Sequence, residues 1–598
     1  MKKRVTLSVI ASIFLASNLD ANVVLDTITV TSATKSEQSI KEVTSNIEVI
    51  TSTEIEEKHI TTVPEALNQF SGISFTQNGG LGKSTSIYVR GFDNKRVLVL
   101  IDGIRYNNVA SIGGAPFEHL MVEDIERIEL VKGAQSGIWG ADASAGVINI
   151  ITKMPEDGLH GSVNAEFGSY STKKYSAMAS YKKDNFYMRA SSQKIDTDGF
   201  SALAPKGDNV DDYEDDGYEN RTTSLKLGYK FNEENKIDMS HRIIDAEGDY
   251  DGFNAPNGIL TSTTKDTFSN IKYQNKNSFA TTDVYFNRSV FDRDYPQGFT
   301  KEFDGVVNEY GLKSNISYMD DTAFLVAGID YKTFEHKNGI AQKYNNKAVF
   351  ITNNNQFNNG KTNLTQSIRV DRYSAFDNKT TGKVGAKHNF NDDLSISVNV
   401  GTAYNVPTLY NLYSAFGNAN LNAEDTVSYD FNIAYKSIQV TYFYNTIDDM
   451  IDYDFATNAY TNVSGKSKLK GFEVSYKKTF LDNFLFTTNY THLSAKDDTG
   501  TDLRRRSKEN LKFSLDYYGL EDAHLGINGE YVGKRYDDAG KTIQTGKYTL
   551  FNFTANYDFT DYLNAYLKVE NLTDKYYQTV DGYASSERAF FLGLQAEF

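Results

Sequence analysis

The residues most able to do chemistry here are acids and arginines. Asp208, Asp211, Asp212, Glu214, Asp215 and Asp216 crowd one short stretch, and Asp249, Tyr250 and Asp251 form a second. Calcium takes six to eight oxygen ligands, and dense loop carboxylates supply them. A solvated acidic loop has the same composition. Arg504, Arg505 and Arg506 present planar donor forks that suit phosphate, carboxylate or amide groups; a basic loop tip or lumen reads the same way. Covalent and redox chemistry find little support. There is no cysteine, which excludes disulfides, thiolate metal sites and Cys nucleophiles. The eight histidines include no metal-spaced pair, and neither a Gly-x-Ser-x-Gly elbow nor a phosphate loop occurs. The chain reads as a binder, not an enzyme. Its net charge of −16 and pI of about 5.1 argue against nucleic acid as a partner.

These residues need elements to hold them. Basic Met1-Lys2-Lys3-Arg4, an apolar run to about Leu15 and small residues to Ala21 predict a signal peptide over residues 1–21. The run is too short to anchor in a bilayer, and no other apolar run of membrane-spanning length exists. Asp26-Thr27-Ile28-Thr29-Val30-Thr31-Ser32 follows, β-prone and polar. It could add a strand to a partner's sheet edge, though an unstructured N-terminus has the same character. Residues 22–39 read as this heptad and a linker, and residues 40–153 as a small α/β domain. Ile47-Glu48-Val49-Ile50, Ile87-Tyr88-Val89-Arg90-Gly91 and Val97–Gly103 are its expected strands, followed by Ile128–Gly133 and the closing segment Gly146–Lys153. Helices are predicted after a Ser52 cap, after a Thr62 cap with Pro64 in the first turn, and as a turn around Val122–Ile125.

From about Gly158 the texture changes. Strands alternate apolar and polar residues, as in Leu394, Ile396, Val398 and Val400, or Phe590, Leu592, Leu594, Ala596 and Phe598. Tight turns such as Asn232–Asn235 and Asn391–Asp393 alternate with long polar loops. This predicts a transmembrane antiparallel β-barrel of about 22 strands over residues 154–598. A barrel that wide leaves an open lumen, and the α/β domain is its expected plug. A soluble β-sandwich or propeller is the competing architecture; neither linkers nor a blade-length repeat is evident.

At this point the residues resemble the TonB-dependent outer-membrane receptors over essentially the whole mature chain. Asp26–Ser32 is similar to a TonB box. Ile87–Gly91, Val99–Gly103, Ile125–Gly133 and Gly137–Lys153 resemble successive plug motifs, with Trp139 where the family usually has Tyr and Ala134 where it has Pro. Gly401–Tyr410, Asn418–Glu424, Lys470–Glu473 and Val569–Tyr577 resemble barrel signatures. Thr76–Gly80, Ile447–Asp454 and Tyr577–Tyr583 resemble in particular the members that carry cobalamin.

The resemblance implies an N-terminal plug inside the barrel, in the outer membrane of a Gram-negative bacterium. It implies a monomer in outer-membrane lipid, driven by a TonB-ExbB-ExbD complex, with a corrinoid or an iron chelate as ligand. The implied ligand contacts are Ser84, Ser86, Asp93, Ser111, Ile112, Arg505 and Arg535. Arg90 and Lys132 are implied plug cations, with Glu473 of the barrel wall as partner. The implied calcium ligands are Asp212, Glu214, Asp216, Tyr250, Asp251 and Asp266, with Ser201 at one position where the family has a ligand. Active transport of cobalamin is the expected function. A ferric siderophore or haem receptor is the alternative within the family, and a passive barrel or adhesin is the alternative from another class.

Overall fold

The computed structural model describes residues 28–252, 255–319, 322–538 and 540–598. The predicted signal peptide and the first two residues of the heptad, Asp26 and Thr27, lie outside them. Twenty-two antiparallel strands close into a barrel, the first (Gly158–Gly168) pairing with the last (Ala589–Glu597). Closure leaves no free sheet edge, which a bilayer would not tolerate. The alternation seen in sequence sorts side chains by solvent. Leu592 is 61% exposed on the outer wall, whereas Thr222, Asn399 and Lys512 are buried facing the lumen. Turns at one end are short, as at 184–185, 436–437 and 561–562. Loops at the other end are long, as at 198–217, 406–423 and 571–588.

The lumen is filled by the α/β domain. Its sheet runs in the order Ile47–Thr51, Ile125–Lys132, Gly146–Thr152, Val97–Ile101, Ile104–Arg105. Val97–Ile101 and Gly146–Thr152 pair in parallel, and all five residues of Val97–Ile101 are buried, as continuous apolar runs require. A two-stranded sheet, Ile73–Gln77 with Thr85–Val89, rises toward the long loops.

Three local expectations are corrected. The first helix, Ser52–Glu57, is capped by Thr51 and not Ser52, because Thr51 and Glu54 form a reciprocal capping box. Val122–Ile125 is a hydrogen-bonded turn, and a single 3-10 turn, Phe117–His119, lies just upstream. Asp249, Tyr250 and Asp251 lie not in a loop but at the end of strand Asn235–Gly252, still paired there with Ala255–Lys276. Thr62 caps the second helix, Val63–Leu67, with Pro64 in its first turn as expected.

Candidate functional site: plug apices, lock and handle

At the long-loop end the plug presents three apices. The first, residues 78–84, turns between Ile73–Gln77 and Thr85–Val89. Ser84 at its edge is exposed and Ser86 half-buried. The acidic loop 198–217 lies directly on this apex. Lys83 donates its Nζ to the Asp216 and Gly217 carbonyls at 3.1 and 3.0 Å. An added Cβ on Gly82 would stand 2.0 Å from the Tyr218 ring, so only glycine lets the two approach.

Asp93 heads the second apex. It pairs with Arg96 at 2.7 Å and with Arg506 at 3.5 Å. Burial raises the Asp93 pKa, but Arg96, Lys95 and Arg506 outweigh it and hold the carboxyl well below its ordinary value. The third apex carries Ser111 and Ile112, the latter 48% exposed.

Of the arginines, Arg505 forms an ion pair with Asp537. Its neighbour Arg506 reaches the plug, donating Nε to the Gly91 carbonyl at 3.0 Å and lying 4.6 Å over the Tyr88 ring. Arg535 is buried, with Nη1 on the Phe75 carbonyl at 3.2 Å and Nη2 left without a partner.

The acidic residues partly converge. Glu214, Asp216 and Asp251 bring carboxylate oxygens within 4.8 Å of one another. Backbone amides of Ala202 and Leu203 take one oxygen each from Asp216 and Asp251. Both oxygens of Glu214 and one each of Asp216 and Asp251 are buried without donors. Carboxylate oxygens are hard ligands of the kind calcium takes. Burial and the neighbouring Asp251 push Asp216 up to about 7. Ser201 joins the cluster through Asp251 at 3.4 Å. Asp266 does not join it: its carboxylate is held by Arg293 at 2.6 Å. Tyr250 packs edge-on against Tyr295, and Asp212 sits in the 3-10 turn Val210–Asp212.

Arg90, Lys132 and Glu473 meet as expected. Glu473 receives Arg90 Nε and Nη2 at 2.9 Å each and Lys132 Nζ at 3.3 Å. Two further carboxylates complete the lock, Asp430 on Arg90 and Glu48 on Lys132. A second lock had no sequence signal: Arg96 forks onto Glu424 at 2.7 and 2.6 Å. Arg127 pairs with Glu129 at 2.9 Å and takes no part in either.

The described part of the heptad is tied down. Thr29–Val30 pairs with Gln38–Ser39. Glu129 accepts from the backbone amides of Thr31 and Ser32 at 3.0 and 2.9 Å. The indole of Trp139 donates to the Ser32 carbonyl at 2.8 Å, and Lys35 lies 4.8 Å over the Trp139 ring. These contacts sit toward the short-turn end, where Asn315 and Asn354 of the wall reach Ser36 and Gln38. One end of the molecule thus gathers the plug apices beneath the long loops. The other holds a short strand by a few polar bonds, and a charged lock ties the plug to the wall.

This arrangement agrees with the comparisons. A family model described as TonB dependent receptor-like, beta-barrel matches residues 161–572, and one described as TonB-dependent Receptor Plug Domain matches residues 39–147. A protein named Vitamin B12 transporter BtuB from Vibrio cholerae serotype O1 (strain ATCC 39315 / El Tor Inaba N16961) is 28% identical over 96% of this chain and 95% of its own length. Its namesake from Photobacterium profundum is 27% identical over 95% of each. Among solved structures, the siderophore receptor PirA from Acinetobacter baumannii superposes with TM-score 0.78 at 17% identity, covering 92% of this chain and 98% of its own. A mutant of the ferric enterobactin receptor PfeA from Pseudomonas aeruginosa, in complex with enterobactin, gives 0.79 at 16%, covering 93% and 99%. At those identities the structural likeness speaks to the fold.

Proposed function

The chain belongs to the TonB-dependent receptors of the Gram-negative outer membrane, and from that premise we propose that the cargo it transports is a corrinoid of the cobalamin class. The observation that carries this reading is full-length likeness to vitamin B12 transporters at 27–28% identity. The siderophore receptors share the architecture at 16–17%. The site chemistry is compatible with it. Ser84, Ser86 and the unpaired Nη2 of Arg535 offer neutral and cationic donors suited to the amide-rich rim of a corrinoid.

In this reading the cargo seats on the apices at the long-loop end and disturbs the contacts of Asp93 and Arg506. The plug shifts, Thr31 and Ser32 leave Glu129, and the heptad pairs with TonB by strand addition. Force transmitted through it breaks the Glu473 and Glu424 locks. The outer membrane holds no ion gradient of its own, so ExbB and ExbD supply inner-membrane energy to TonB. Calcium on Glu214, Asp216 and Asp251 would offset two of the three converging negative charges and stiffen the loop lying on the first apex.

Titrating the purified protein with cobalamin and with ferric catecholates tests the assignment. Saturable corrinoid binding below micromolar concentration is expected. No corrinoid binding at micromolar concentration, with a ferric catecholate bound instead, refutes it.

A further inference from the structure

The plug does not fill the lumen evenly. On one flank it is pressed against the wall. An added Cβ on Gly137 would stand 2.8 Å from Ser367 Oγ and 3.0 Å from the Gly382 Cα, and one on Gly385 would stand 2.4 Å from Thr44 Oγ1. On the opposite flank lie two cavities. The outer one, about 300 Å³, runs from Gly80 and Ser585 at the long-loop end down to Glu166 and Lys568. The inner one, about 520 Å³, runs from Lys153 and Phe598 at the short-turn end up to Asn164 and Tyr566. Ile60 lines both. The successive inward residues of two wall strands are divided between them: Asn164 and Tyr566 face the inner cavity, Glu166 and Lys568 the outer.

Between the cavities stands a ring pair. His59 of the plug stacks on Tyr566 of the wall, centroids 3.6 Å apart and planes 10° from parallel. Tyr566 is held by Glu166 at 2.7 Å, and the imidazole contacts Asn556. Glu65, Glu166, Lys512, Glu530 and Lys568 line the outer cavity, a polar wall that suits water and not a dry void. The backbone adds a separate pointer. His59 follows helix Ser52–Glu57 with φ 47°, and Ile60 N–H bonds back to the Ile55 carbonyl at 3.1 Å. That is a helix stop at which glycine is the usual residue. A bulky ring stands in a conformation that disfavours it, and the ring closes the gap.

We infer that cargo crosses between the plug and the wall that runs from strand Leu563–Glu570 through Ala589–Glu597, Gly158–Gly168 and Lys173–Lys183 to Phe186–Thr197, and that the His59–Tyr566 stack is the constriction it displaces. A sideways shift of the plug there breaks the ring stack, a few polar bonds and two ion pairs, Glu65–Lys568 and the buried Arg189–Asp124. The close-packed flank keeps its glycine contacts and acts as the hinge. The inference rests on the transport reading but not on the identity of the cargo.

Conductance across planar lipid bilayers tests the passage without any cargo. His59→Gly keeps the left-handed backbone and removes the ring; Tyr566→Ala removes the other half. Both purified variants are expected to conduct small ions at least tenfold more than the parent, with unchanged heat-modifiable barrel migration. Parent-level conductance in both overturns the inference. The absence of native cysteine permits a second arm. Bridging H59C to Y566C with a short, reducible bifunctional thiol reagent is expected to block uptake reversibly. Bridging T44C to T365C on the close-packed flank is expected to leave uptake intact. Uptake surviving the first bridge, or blocked equally by both, overturns the inference. Failure to bind a corrinoid refutes the cargo assignment while the conductance result stands.

Discussion

Glu473→Gln tests the lock at its centre. The substitution conserves shape and removes the charge. In the parent, Glu473 takes two hydrogen bonds from Arg90 at 2.9 Å and one from Lys132 at 3.3 Å, and all three side chains are at most 2% exposed. An amide can accept only one branch of the Arg90 fork, and its NH₂ group faces cations. Removing one partner from a buried ion pair costs about 3–5 kcal/mol. Arg90 keeps Asp430 and Lys132 keeps Glu48, so the lower end, roughly 3 kcal/mol, applies here. At about 1.4 kcal/mol per decade, the open plug should be roughly a hundredfold more populated. Amide exchange reads this directly. Thr85–Val89 and Ile125–Lys132 should lose protection by that factor, while barrel strand Leu394–Asn405 keeps its own. Because the lock is buried, the effect should change little between low and physiological salt. Plug exchange within threefold of the parent would refute the claim that Glu473 holds the plug.

Three further outcomes follow from the same contacts. Glu129→Ala should free the handle, and the only tryptophan, Trp139, reports it: its indole loses the Ser32 carbonyl, so emission should shift to the red and acrylamide quenching should rise. An unchanged spectrum would contradict the latch. Gly72→Ala should loosen the plug much as Glu473→Gln does, because the new Cβ would stand 2.0 Å from Glu473 Oε1 at a backbone φ of 67°; parent-like exchange would contradict the tight approach. The acid cluster predicts a pH dependence. Asp216 is raised from its ordinary 3.8 to about 7 by burial and Asp251, so its contribution to loop order is full below about pH 4 and is lost as pH rises through 7. Calcium needs the ionised form, so its affinity should climb by up to roughly tenfold per unit below pH 7, and Asp216→Asn should flatten that climb to what the raised Glu214 leaves. Calorimetric titration at pH 5.5, 6.5 and 7.5 checks it; no calcium binding at any of these would remove the ion from the account.

The barrel was legible because its signal is periodic. Outward apolar residues such as Leu592 and Leu594 alternate with inward polar ones whatever the register. The lock was half legible. Arg90 and Lys132 stand at strand ends where a charge needs explaining. Asp430 joins them only through the barrel register, and Glu48 only through the pairing of Ile47–Thr51 with Ile125–Lys132, neither of which a local pattern encodes. The same limit explains Asp266, whose partner Arg293 is set by the pairing of Thr264 with Arg293 across a break in the next strand. Choosing between Arg505 and Arg506 depended on a single backbone angle. Arg505 has φ 62°, which turns its side chain toward Asp537 and leaves Arg506 to reach the plug. Trp139 read as a variant within a motif. Its hydrogen bond to the handle is a tertiary contact with no sequence signal at all.

Uptake by cells producing the chain without Asp26–Ser32 tests the central claim most directly. The account predicts that labelled cobalamin binds such cells as it binds the parent, and that none enters. Uptake at the parental rate would contradict it, because a passive barrel has no use for the handle.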